Sequence, residues 1–419
     1  MLTKTFTEFF ESEKSGAMVL MACTVLCLLI ANSALGPAYL EFWHQKVLGM
    51  SLEHWVNDAL MAIFFLLIGL ELERELYVGE LSSLKNALLP IVAAIGGIIV
   101  PAGLHFALNS GTSTQAGSGI PMATDIAFAI GALALLGSRV PMSLKVLMTA
   151  TAVMDDLGAI IVIALFYSTQ FSLVYLVGAL AVFGALVLCN RVLRIMALTP
   201  YLVGGAVMWF LMVKSGVHAT IAGVLLAFAI PFGPRAAPGF RAEESSAEVK
   251  EEPAKRAGDT QQKALLPETP QESPSHRLEH ALHKPVAFLI LPLFALANTG
   301  VVFDPQWQQS LASANSLGII AGLVLGKPIG IVLLSFFAVA VGLCSLPAGL
   351  TWRHMIGLGM LAGIGFTMSI FITNLAFAGQ PEVINASKMA ILIASASAGV
   401  LGMLWLSMMT PKTSASAKG

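Results

Sequence analysis

The chain has 419 residues, of which 57% are hydrophobic, 11% charged and 8% aromatic, with a formal net charge of −1. Apolar stretches of about twenty residues recur along most of its length, which excludes an ordinary soluble domain and predicts a polytopic helical membrane protein. The balanced charge leaves no footprint for nucleic acid, and 38 Gly with 20 Pro suit closely packed, sometimes interrupted transmembrane helices.

Hydropathy predicts an all-α fold of about twelve spans. They lie near residues 16–35, 56–78, 86–108, 121–137, 143–167, 171–190, 200–214, 217–232, 284–303, 314–343, 353–378 and 386–409. The first is expected to be retained and to act as the insertion signal. With the N-terminus inside, 19 of the 23 Lys and Arg fall on one side. Lys46, Lys214 and Lys388 fall on the other, and Lys327 lies within a span, so both termini are expected in the cytoplasm. Cys23, Cys27, Cys189 and Cys344 sit in or beside apolar runs and read as packing residues.

Spans 1–8 are expected over residues 1–232. Residues 233–275, where Pro, Glu, Ser and Lys replace Leu, Ile and Val, read as a disordered, solvated cytoplasmic linker. Spans 9–12 follow over 276–410, with a cytoplasmic tail at 411–419. The loop from Asn109 to Gly119 is uncharged, as expected of an external one.

Spans 4 and 11 look broken. Gly119–Phe128 holds a Pro and a Thr-Asp inside a short apolar segment, and Gly363–Phe371 holds Gly-x-Gly with hydroxyls. Backbone freed from a helix at membrane depth must be buried in protein or line a wet cavity. Interrupted segments in corresponding halves point to an inverted-repeat transporter with a site near the midplane.

The chemistry-bearing residues are few. Asp155 and Asp156 stand together in the apolar run Val146–Phe166. An aspartate near the bilayer centre costs roughly 2.5–3.5 kcal/mol to insert, so the pair must serve a purpose. A carboxylate that water cannot solvate takes up a proton or finds a cation, and the pair is a candidate site where the two compete. Thr151 shares the face of Asp155 one turn earlier, and with backbone carbonyls would give an all-oxygen shell for Na⁺ or Li⁺. Lys327, with apolar residues on both sides, is expected to pair with one of the two aspartates. Asp125 sits in broken span 4, where it can offset the partial positive charge of half-helix N-termini. Glu71, Glu73, Arg74 and Glu75 end span 2, and Glu279, His280 and His283 begin span 9. Acidic groups with histidines at a funnel mouth can gather cations and respond to pH. His218 reads as an interfacial, hydrogen-bonded histidine, and no His/Cys/carboxylate set shows the spacing of a resident metal site.

In order along the chain, seven segments resemble the bacterial NhaA-type Na⁺/H⁺ antiporters. They are Phe64–Glu75 (FFLLIGLELERE), Thr124–Phe128 (TDIAF), Asp155–Ile160 (DDLGAI), Lys214–Gly223 (KSGVHATIAG), Leu278–His283 (LEHALH), Gly326–Gly330 (GKPIG) and Gly363–Ser369 (GIGFTMS). The family is itself a known example of the inverted-repeat architecture with two crossed, interrupted helices. The resemblance implies an inner-membrane, electrogenic antiporter that exports Na⁺ or Li⁺ against imported H⁺ by alternating access and is activated at alkaline pH. It implies Asp156 as principal cation and proton carrier, Asp155 as its neighbour and the partner of Lys327, and Thr124 and Asp125 as members of the crossed helices. Glu71, Arg74, Glu75, Glu279, His280 and His283 would form the pH-responsive funnel, and segment 36–55 would occupy the place of a β-hairpin that contributes to a homodimer. Membrane lipid is the surrounding partner, and neither a cofactor nor enzymatic chemistry is expected. An intramembrane aspartyl protease would need its aspartates on facing helices, and an organic-anion symporter would need anion-binding donors. Lys284-Pro285 after His283 departs from the family's usual Pro-Trp.

Overall fold

A computed structural model describes residues 13–167, 172–232, 273–303 and 305–409. The expected tail 411–419 and residues 233–272 of the expected linker lie outside the described residues. The protein is an all-α membrane protein. Among the described residues nine helices are long and apolar enough to cross a membrane, or eleven when each of two bent helix pairs is taken as one span. Thr220–Ala229, apolar but short, stands where the eighth span was expected.

The first expected span ends early. Glu13–Ala31 stops at a turn, and the chain bends by 114° into Gly36–His44, which Pro37 starts from the first helical turn. A minimal hairpin follows, Lys46–Val47 antiparallel to Met50–Ser51, with Leu48 and Gly49 both at positive φ. That is the backbone of a tight two-residue hairpin turn. Ser51 then caps Leu52–Trp55, and a π turn at Val56–Leu60 joins it to the long helix Met61–Tyr77.

Span 9 starts about ten residues before its expected position. Pro274–Asn298 is helical throughout, begun by the Ser273 side chain, which accepts from His276 N at 3.2 Å. Hydropathy discards that first part because its exposed face is His, Arg and Lys, although Leu278 and Glu279 are buried.

Both expected breaks are present. In span 4 a 3₁₀ helix, Gln115–Met122, gives way to extended Ala123–Asp125 and then to Ile126–Leu136, so its first half is not α-helical. In span 11, Trp352–Ala362 and Phe366–Ala376 meet at 48° across Gly363–Gly365. The two breaks cross and satisfy each other's freed backbone. Asp125 N donates to Ile364 O at 2.7 Å, and Ser369 Oγ donates to Ile120 O at 2.8 Å. Span 3, Leu84–Asn109, lies against span 10, Ala314–Ala340, through Gly96 and Gly330. A Cβ on Gly330 would fall 2.0 Å from Gly96 O, so only glycine permits this approach.

Candidate functional site

The helix Met142–Phe166 carries the aspartate pair into the middle of the protein, where Asp155 is 0% and Asp156 1% exposed. Asp155 has found a cation: Lys327 Nζ donates to its Oδ2 in a pair completely withdrawn from solvent. Thr124 Oγ lies 2.7 Å from the same oxygen and 2.9 Å from Ala362 O, so the crossing of the broken spans is tied directly to the carboxylate.

Local sequence explains how a lysine reaches this depth. Gly322–Gly326 forms a π turn immediately before Lys327, and Pro328 follows, lacking an N–H. The widened turn re-aims the side chain at the start of the next helical segment, a common use of π turns. Gly97 on span 3 leaves the space beside the pair open, since a Cβ there would lie 3.4 Å from both Asp155 Oδ1 and Lys327 Nζ.

Asp125 has a different task. It is the N-cap of Ile126–Leu136, where its Oδ1 accepts from Phe128 N at 3.1 Å. Its Oδ2 accepts from Thr367 N at 3.0 Å and from the Thr367 hydroxyl, at the start of Phe366–Ala376. One carboxylate therefore caps two helix N-termini and opposes the positive ends of both dipoles.

What remains unpaired defines the chemistry. Asp156 Oδ1 and Oδ2, Asp155 Oδ1 and Thr151 Oγ are all buried without a hydrogen-bond partner among the described residues. Orphaned buried oxygens are costly, and groups of this kind are satisfied by a proton, an ion or water. Among the described residues no three His, Cys, Asp or Glu side chains come together as a metal-binding group. A cation at the aspartate pair would have to draw further ligands from hydroxyl, carbonyl or water oxygens, a shell for a hard, exchangeable ion. A cavity of about 630 Å³, lined by Glu75, Glu80, Lys145 and Thr149, reaches Ala150, the neighbour of Thr151. A second cavity, of about 580 Å³, lies at the end that carries segment 36–55 and is lined by Glu53, Asp58, His218, Asn374 and Lys388.

Of the expected funnel residues, five come together. Arg74 pairs with Glu279 and, at 3.3 Å, with Glu75. His283 Nε2 stands 3.6 Å from Glu71 and 3.7 Å from Glu279. His280 is exposed and stacks on His276, with ring centroids 4.4 Å apart. Glu73, buried on Met61–Tyr77, accepts from Ser275 Oγ at 3.2 Å. His218 Nε2 lies 3.0 Å from Tyr167 O, in keeping with a hydrogen-bonded histidine.

Sequence reasoning missed Thr367 as the second anchor of Asp125. It also missed an amide cluster in which Asn298 joins Asn57 at 2.8 and 3.2 Å and Asn374 at 2.6 Å. For Thr367 the available signal was its hydroxyl beside Gly-x-Gly at the break. The three asparagines carry no local signal, because their pairings span 241 and 76 residues.

The chain matches the family model described as Na⁺/H⁺ antiporter 1 over residues 7–406. It is 65% identical over 406 residues to the Na⁺/H⁺ antiporter NhaA of Dechloromonas aromatica, covering 97% of this chain and 96% of that protein. It is 53% identical to Na⁺/H⁺ antiporter NhaA 1 of Flavobacterium johnsoniae, with 97% of each covered, and 45% identical to the Na⁺/H⁺ antiporter NhaA of Helicobacter pylori strain 26695, with 97% and 95% covered. Matched along nearly its whole length by sequence and carrying the crossed broken spans, the chain belongs to the NhaA family of Na⁺/H⁺ antiporters.

Proposed function

We propose that the protein is an electrogenic secondary transporter of the bacterial inner membrane that exports Na⁺, or Li⁺, in exchange for H⁺ by alternating access. The observation that carries this reading is the set of unpartnered oxygens on Asp156, Asp155 and Thr151 beside a Lys327 paired to Asp155. A proton and a cation cannot both occupy Asp156, so the site moves loaded with one or the other, and exchange needs no second pathway. The Asp155–Lys327 pair supplies a further protonatable centre beside one cation, which supports transport of unequal charge.

Asp156 is assigned as carrier and Asp155 with Thr151 as co-ligands. Lys327 and Thr124 hold Asp155, and Asp125 holds the crossing. Both termini are placed in the cytoplasm, in keeping with the Lys and Arg distribution, so the cluster of Glu71, Arg74, Glu75, Glu279 and His283 faces the cytoplasm. There it releases protons as pH rises and sets alkaline activation, with His280 at its rim. Segment 36–55 is the proposed homodimer contact, supported by the exposed Phe42, Val47 and Leu48. The test is Na⁺-induced proton flux in everted vesicles: Asp156→Asn abolishes it while the protein is still made, and retained flux would overturn the assignment.

A further inference from the structure

Three spans each carry a Phe and, nearer the end that holds segment 36–55, an Asn. They are Phe65 and Asn57 on span 2, Phe294 and Asn298 on span 9, and Phe371 and Asn374 on span 11. The amides meet in one layer. Asn298 Nδ2 donates to Asn57 Oδ1 at 2.8 Å, and Asn298 Oδ1 accepts from Asn57 Nδ2 at 3.2 Å and from Asn374 Nδ2 at 2.6 Å. The rings meet in a second layer, with the Phe371 centroid 5.5 Å from that of Phe65 and 6.4 Å from that of Phe294, and all three side chains are buried. On span 11 the order from the crossing outward is Thr367, Phe371, Asn374, each step about one helical turn, roughly 5 Å. Asn57, Asn374 and Phe371 also line the cavity of about 580 Å³, so both layers face it from the side of the crossing.

From this arrangement we infer that the amide layer is a latch on the outer side of the transport path, and that Asn374 is the member that releases. Spans 2 and 9 hold each other through two hydrogen bonds, whereas span 11 joins them in this layer through one. Span 11 is also the helix whose first turn, at Thr367, holds Asp125 and with it the crossing. A movement of the crossing that opens the outer cavity toward the aspartates has to part Asn374 from Asn298 and draw Phe371 away from Phe65. Amides suit a joint that is made and broken in every cycle. Exchanging one neutral hydrogen bond for water shifts an equilibrium by only roughly two- to tenfold. Asn57 and Asn374 are half-buried on the cavity wall, so water replaces the lost partner as soon as they part. An ion pair in the same place would hold too tightly to release. The latch rests on the transport reading; the layered closure does not.

The experiment uses the full chain in everted and in right-side-out vesicles, with Asn374→Ala, which leaves the Asn57–Asn298 pair in place, and the milder Asn374→Ser. Release of the latch populates outward-open states, so the KM for Na⁺ at the outer face is expected to fall by roughly two- to tenfold, while that at the cytoplasmic face stays the same or rises. A KM at the outer face that is unchanged or raised overturns the latch, because a general lesion of the fold weakens both faces. Hydroxyl-radical footprinting of the same proteins reads the closure without transport. Met61, 0% exposed and between Asn57 and Phe65 on span 2, should gain oxidation several-fold in Asn374→Ala, whereas Met212, equally buried on Leu198–Ser215 and outside both layers, should not. Unchanged oxidation of Met61, or an equal gain at Met212 in both variants, overturns the latch. Wild-type vesicles without Na⁺-driven proton flux would overturn the transport reading, and with it the latch's part in a cycle, while a responsive Met61 would leave the layered closure standing.

Discussion

Lys327 and Asp155 offer the sharpest test of how the site is held together. Both are 0% exposed, and each is the other's charge partner. Lys327→Met leaves Asp155 with only the Thr124 hydroxyl at 2.7 Å, and Asp155→Asn leaves a buried ammonium facing an amide. Removing one member of a buried ion pair costs about 3–5 kcal/mol, whereas replacing both members is often close to neutral. Each single variant should therefore lose about 3–5 kcal/mol of stability, and the double variant should recover most of it. The cycle's coupling energy would then be about 3 kcal/mol or more. The measurement is equilibrium unfolding in mixed micelles at alkaline pH, followed by tryptophan fluorescence, with all four proteins in the same detergent. A double variant that loses the sum of the two singles would refute the pairing as the source of the stability, and with it the division of labour between the two aspartates.

Thr367→Val keeps the backbone donor to Asp125 but removes the hydroxyl; a hydrogen bond to a charged group contributes about 1.5–3 kcal/mol, so melting should fall accordingly and Thr367→Ser should restore it. Gly330→Ala places a methyl 2.0 Å from Gly96 O and should cost about 1–3 kcal/mol through overpacking, read by thermal unfolding. Gly103→Ala, on the partner helix with nothing within 4 Å of the new Cβ, should instead gain about 0.5–1 kcal/mol. Asn298→Leu strips Asn57 and Asn374 of a shared partner and should lose about 1–3 kcal/mol in the same assay; an unchanged midpoint would show that the amide cluster is dispensable.

The parts of the site that the sequence discloses are those paid for in insertion energy. Asp155, Asp156 and Lys327 stand out because charge in an apolar run has no cheap explanation, and the two breaks stand out because Gly and Pro interrupt otherwise continuous helix. Long-range pairing is not disclosed in this way. Nothing near residue 125 announces that Thr367, 242 positions away, supplies the other half of its cap. Hydropathy also misplaces elements whose polar face is local. The start of span 9 was hidden by the His, Arg and Lys of Pro274–Pro285, and the bend after Ala31 by an apolar run that Asn32-Ser33 interrupts only briefly before Ala34-Leu35. The 3₁₀ character of Gln115–Met122 was not readable either, because a Gly-rich segment with Pro121 fits several backbone paths.

The asymmetry of the aspartate pair has a mechanistic consequence. Neighbouring positions on a helix differ by about 100°, which lets one side chain reach Lys327 and Thr124 while the other does not. Asp155 is thereby compensated inside the protein. Among the described residues Asp156 has no hydrogen-bond partner for either oxygen, so under the proposed carrier role the compensation for its insertion cost, about 2.5–3.5 kcal/mol on a translocon scale, would come from whatever it carries. An Asp156 that is ionised and empty is the costly state, and it is the state that would let the crossing move without carrying anything. Under the proposed exchange, either H⁺ or Na⁺ at Asp156 would relieve that cost. In the proposed exchange, the burial that makes the pair look anomalous in the sequence is what would couple the two ions. A partner supplied to Asp156 by the protein itself, for example a second lysine, would remove the penalty on the empty site and uncouple proton from cation.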